Sequence, residues 1–87
     1  MATKPAPPVK PAPGDALERA AYAAVEDIPL ADPHERDRLG YSVWRCLRFR
    51  VDGLEAAVRS AGVRPHIPEE EAVRRIREAL ARAGHRV

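Results

Sequence analysis

The side chains in this 87-residue chain that could do chemistry are few and scattered. They are three histidines (His34, His66 and His85), one cysteine (Cys46) and two serines (Ser42 and Ser60). A metal site needs ligands converging from short, regular spacings such as i, i+4 on a helix. The histidines stand far apart and fall at expected helix edges or loops, so no metal site is expected. A single cysteine excludes an internal disulfide and a cysteine-based metal centre. Cys46 lies beside an apolar stripe, where a thiol reads as a small buried hydrophobe. Neither serine sits in a Gly-x-Ser-x-Gly turn, and no glycine-rich phosphate loop is present. The carboxylates fall at helix starts and on helix surfaces. The expectation is a protein that is not an enzyme, with no cofactor and no small-molecule substrate.

One constellation has more content. On a helical projection Arg38, Tyr41, Arg45, Arg48 and Phe49 share a broad face. Arginine and aromatic residues recur among interface hot spots, and a guanidinium can also stack on a ring or a nucleic-acid base. Three uses fit this set. Tyr41 and Phe49 could pack on the first or last helix while the arginines are solvated, or the face could meet a protein partner, or it could meet nucleic acid. A second basic group, Arg74, Arg75 and Arg77, could contact phosphates in that last case. A base-reading helix-turn-helix fits poorly. LEAAVRSAGV resembles the first half of such a unit, but the link RPHIP is too long for the turn. The following helix then opens with Glu69, Glu70 and Glu71, which repel phosphate.

The elements that position these residues follow from the pattern. Residues 1–13, MATKPAPPVKPAP, hold five of the nine prolines, which remove donors and fix φ. A disordered, extended Pro/Ala-rich tail is expected, followed by a helical domain over residues 14–87. Four helices are expected, at about 15–28, 33–51, 53–61 and 68–83. The first opens with Asp15 and Glu18 as a capping pair. It carries Leu17, Ala21, Ala24 and Ile28 on one stripe, with Ala20 and Val25 beside it and Tyr22 off it. Pro29 stops it. The second opens with Asp32 as cap, Pro33 at its first position and Glu35 closing the box.

Within residues 32–62 the spacing of Trp44, Leu47, Val51, Leu54, Val58 and Ala61 alternates between three and four, the period of a heptad seam. Val43 flanks it, and Leu39, Cys46 and Ala57 widen it. This places Trp44 in the core. The seam keeps phase through Asp52–Gly53, yet a glycine inside a helix costs about 1 kcal/mol relative to alanine. Asp52 with Glu55 also makes a new start signal. These favour two helices over one bent one. Gly62 suits a left-handed C-cap. The last helix carries Val73, Ile76, Leu80 and Ala83 on its stripe, and Gly84 ends it. No period-2 run suggests a strand, so the fold class is an all-α bundle of three or four helices.

Composition bounds the rest. The formal charge is +2, and thirteen of the fifteen basic residues are arginine. With the abundant alanine, this usage matches a GC-rich genome and points to a small bacterial or phage protein. No apolar run approaches the roughly 18 residues of a membrane span, so a cytoplasmic location without membrane contact is expected. A domain this small builds a modest core that often needs help from a partner. The expected function is therefore protein–protein interaction, as an adaptor, small subunit, regulator or homo-oligomer. The alternative is a nucleic-acid-binding regulator that uses the arginine faces.

Overall fold

The computed structural model describes residues 16–50 and 53–85, and all regular structure among them is helical. Helix α1 spans Ala16–Ala24, α2 spans Pro33–Phe49, α3 spans Leu54–Ser60 and α4 spans Glu69–Arg82. The fold is a small all-α bundle. The tail, the Asp15 cap, Val51, Asp52 and Val87 lie outside the described residues.

Helix α1 stops at Ala24, short of the expected end near residue 28. The amides of Val25, Glu26 and Ile28 bond to carbonyls three residues back, at 3.2–3.4 Å, so the last turn tightens ahead of Pro29. Its carbonyls are met from α2. The Arg36 guanidinium donates to Ile28 O at 2.8 Å and to Val25 O at 3.4 Å. A cation at this end offsets Glu26 and Asp27, which oppose the helix dipole.

Helix α2 begins as its sequence dictates. Asp32 Oδ1 accepts from the Glu35 amide at 3.0 Å, and Pro33 occupies the first turn. Glu35 Oε1 accepts from the Ala31 amide at 3.0 Å, one residue earlier than a standard capping box. The helix ends at Phe49, with Arg50 in the left-handed region (φ 54°, ψ 43°) and its amide donating to Cys46 O. Gly53 then precedes α3, so two helices occupy the stretch from 33 to 60. Past the end of α4, Gly84 takes φ 92°. The His85 amide reaches Leu80 O at 2.8 Å and the Gly84 amide reaches Ala81 O at 3.0 Å. This paired arrangement closes the last carbonyls.

Each helix packs on its chain neighbours, and α4 closes back on α1. Ser42 Oγ donates to Ala57 O at 2.6 Å, joining α2 to α3. The His66 amide donates to Pro29 O at 2.9 Å, joining the α1–α2 and α3–α4 connections. Leu39 and Val43 of α2, Leu54 and Val58 of α3, and Val73, Ile76 and Leu80 of α4 meet Ala21, Val25 and Ile28 in one apolar core.

The core corrects the expected stripe in three places. Leu39, Val43 and Cys46 form the buried line of α2, while Trp44 and Leu47 are only partly buried and pack against its edge. Trp44 follows Val43 by one residue, about 100° round the helix, which carries the indole from the inward line to the rim of the interface. Ala83 is exposed, because α4 has already ended. Val63, in the loop after α3, is buried although it lay outside every stripe. Among the described residues no helix is long and apolar enough to cross a membrane.

Candidate functional site

The outer face of α2 is built by the same rotation that puts Leu39, Val43 and Cys46 inside. With those three turned inward, Tyr41, Arg45 and Arg48 must point away from the bundle. Trp44 shares that side, three residues after Tyr41 and four before Arg48. Tyr41 and Phe49 are the exposed large hydrophobic residues, at 45% and 54% of their surface. The Trp44 ring bridges them. Its centroid lies 5.5 Å from Tyr41 at a tilt of 41°, and 6.1 Å from Phe49 in an edge-on arrangement at 75°. The Arg48 guanidinium stands 5.7 Å above the Phe49 ring. Such edge and cation contacts are each favourable by roughly 0.5–1.5 kcal/mol. They hold the three rings together at the surface.

Not all five residues read from the sequence as one face act together. Tyr41, Arg45, Arg48 and Phe49 do share an exposed surface. Arg38 is directed elsewhere. Its Nε donates to Ala61 O at 3.2 Å and its Nη2 to Gly62 O at 3.4 Å, so it caps the end of α3. Trp44 lies at the rim, half-buried against the core on one side and touching Tyr41 and Phe49 on the other, although the heptad reading assigned it to the core. The signal was present in the Tyr41–Trp44 and Trp44–Arg48 spacings, which place all three on one side of a helix.

The basic group on α4 is engaged by carboxylates. Arg74 meets Glu71 at 2.6 Å and Glu78 at 3.2 Å, and Arg75 meets Glu71 at 2.9 Å. Arg77 lies 3.7 Å from Glu55 on α3. Hydrogen bonds from Arg74, then Arg75, hold the Glu71 carboxyl below the usual glutamate range, and Glu71 in turn raises Arg74. This face therefore presents mixed charge.

The remaining chemical candidates are apart. Cys46 is buried in the core. His34 and His66 are exposed on separate segments, and no group of three or more metal-ligating side chains exists among the described residues. An open groove between α3 and α4 is lined by Glu55, Arg59, Glu69, Glu70, Val73 and Arg77. Its charges already face one another, with Arg59 3.1 Å from Glu69.

Comparison with protein-family models, curated proteins and solved structures gives no significant match.

Proposed function

We propose that this chain is a non-enzymatic helical interaction protein that binds a protein partner through Tyr41, Trp44 and Phe49 on the outer face of α2, within a cytoplasmic setting. The exposed Tyr41 and Phe49, joined by the half-buried Trp44 between them, carry this reading. Monomeric proteins rarely leave clustered large apolar side chains in water. Aromatic residues and arginine are the side chains most enriched where binding energy concentrates. The trio is also held in place by its own ring contacts, so little side-chain freedom remains to be lost on docking.

The nucleic-acid alternative has weaker support. Phosphate binding draws its affinity from basic side chains that neutralise phosphates and release the counterions condensed on the nucleic acid. Arg74, Arg75 and Arg77 instead lie beside Glu71, Glu78 and Glu55.

Affinity capture with the full chain and with Tyr41→Ser/Phe49→Ser tests the proposal, because both changes sit on the exposed face and leave the core intact. Proteins retained by the wild type and lost by the double variant are expected. Identical retained sets would overturn the reading. Binding of single-stranded DNA at low salt, lost in the same variant, would favour the alternative.

A further inference from the structure

The charge at the Trp44–Phe49 end of the aromatic trio is one-sided, whereas the exposed Asp37 stands one turn before Tyr41 at the other end. From Arg38 to Arg50 the sequence contains no aspartate or glutamate. Arg45, Arg48 and Arg50 are all exposed beside Trp44 and Phe49. Among the described residues, none of the three has a carboxylate within ion-pair distance, whereas Arg59, Arg74, Arg75 and Arg77 each have one. Among the described residues, four arginines of α3 and α4 thus face carboxylates, while the three at the end of α2 face solvent.

Resting on the docking reading above, we infer that the partner of this face is an acidic, apolar-anchored polypeptide segment: aromatic or leucine side chains seated on Tyr41, Trp44 and Phe49, with carboxylates reaching Arg45, Arg48 and Arg50. Charge complementarity selects this occupant. Opposite potentials favour encounter and register, while like charges brought together are penalised. A second copy of the chain, docked about a two-fold axis through the trio, would set the same arginines against themselves. Nucleic acid also satisfies the charge, but the Arg48 guanidinium already stands over one face of the Phe49 ring. Base stacking needs an open ring face.

The test is selection of a displayed library of random peptides on the full-length chain, followed by fluorescence titration of the winning synthetic peptides using Trp44, the sole tryptophan. The expected winners combine several Asp or Glu residues with an aromatic or leucine anchor. They shift Trp44 emission and bind less tightly as salt rises. Arg45→Glu/Arg48→Glu should bind them about tenfold or more weakly, and Arg45→Gln/Arg48→Gln should fall between. Both variants alter exposed side chains, and their circular dichroism should match the wild type. Winners that lack acidic residues, or that ignore charge reversal yet are lost in Tyr41→Ser/Phe49→Ser, would overturn the acidic partner and leave the docking face standing. An absence of winners, or winners indifferent to every one of these variants, would overturn both. A single-stranded oligothymidine that binds this face more tightly than any peptide, or concentration-dependent dimerisation lost in Tyr41→Ser/Phe49→Ser, would also overturn the acidic partner.

Discussion

The ring of Tyr22 on α1 lies directly on the backbone of Gly40 on α2. A Cβ placed on Gly40 would fall inside the ring's contact distance, 2.7 Å from Cε1 and 3.1 Å from Cγ. Glycine is therefore used here for space, and it sets how closely α1 and α2 approach. Alanine at this position gains about 1 kcal/mol of helix propensity but overpacks the contact, which typically costs about 1–3 kcal/mol. Gly40→Ala is expected to be net destabilising in urea denaturation. In a Tyr22→Ala background the clash is gone, and the same substitution should become stabilising. A Gly40→Ala effect of the same sign in both backgrounds would show that the ring contact does not limit this site.

The same tyrosine gives the fold a dependence on alkaline pH. Burial, followed by the negative charges of Asp37 and Glu18, pushes the Tyr22 hydroxyl above the ordinary tyrosine range. The folded state then holds its proton at a pH where the unfolded chain has released it. The associated stability is fully present below the ordinary tyrosine pKa and is lost as pH rises through the folded value. Urea midpoints measured from pH 9 upward should fall more steeply for the wild type than for Tyr22→Phe. Parallel profiles would refute the assignment.

Much of this architecture was readable from residue type and spacing. Asp32, Pro33 and Glu35 announce the start of α2, and Gly62 and Gly84 adopt the left-handed conformations that their positions after helices suggest. These signals are local, so they survive without knowledge of the neighbours. What spacing did not convey depends on a second helix. Trp44 fits the heptad period, but the rotation of α2 follows the contact of Tyr22 with Gly40 and the burial of Leu39, Val43 and Cys46. Arg36 and Arg38 look like surface charge in the sequence. Each instead caps another helix across the fold, at α1 and α3 respectively. The exposed arginines of the candidate site were readable because nothing in the fold diverts them. Trp44, which joins Tyr41 to Phe49, was hidden by its agreement with the seam.

The altered place of Trp44 changes the expected ranking of substitutions. Its indole Nε1 donates to no acceptor among the described residues, and the side chain is only partly buried. Replacing it with phenylalanine keeps a ring against Tyr41 and Phe49 and removes an unsatisfied donor, whose burial carries a cost of about 1–3 kcal/mol. Trp44→Phe should therefore stay within about 1 kcal/mol of the wild type, since lost ring area and the removed donor act in opposite directions. Ile76 is fully buried at the centre of the core. Ile76→Ala should cost about 2–5 kcal/mol, enough to unfold much of a domain this small at ambient temperature. Thermal melts followed by circular dichroism separate the two cases, and a Trp44→Phe loss equal to that of Ile76→Ala would restore the indole to the core.

Arg50 offers a stabilising change at the edge of the candidate site. Its φ of 54° is the only positive value among the described non-glycine residues, whereas the positions just past α3 and α4 with positive φ are glycines. The left-handed conformation costs an ordinary L-residue roughly 1–2 kcal/mol. Glycine avoids that cost but starts from a freer unfolded chain, which returns about 0.4–1 kcal/mol of the gain. Arg50→Gly is expected to raise stability by about 0.5–1 kcal/mol, visible as a higher urea midpoint with an unchanged slope. Because the arginine also belongs to the cationic group facing the acidic segment, the same variant should bind selected acidic peptides more weakly while melting at a higher temperature. Stability and affinity moving in opposite directions would separate the backbone role of this position from its charge; a fall in both would mean that the Arg50 side chain also supports the fold.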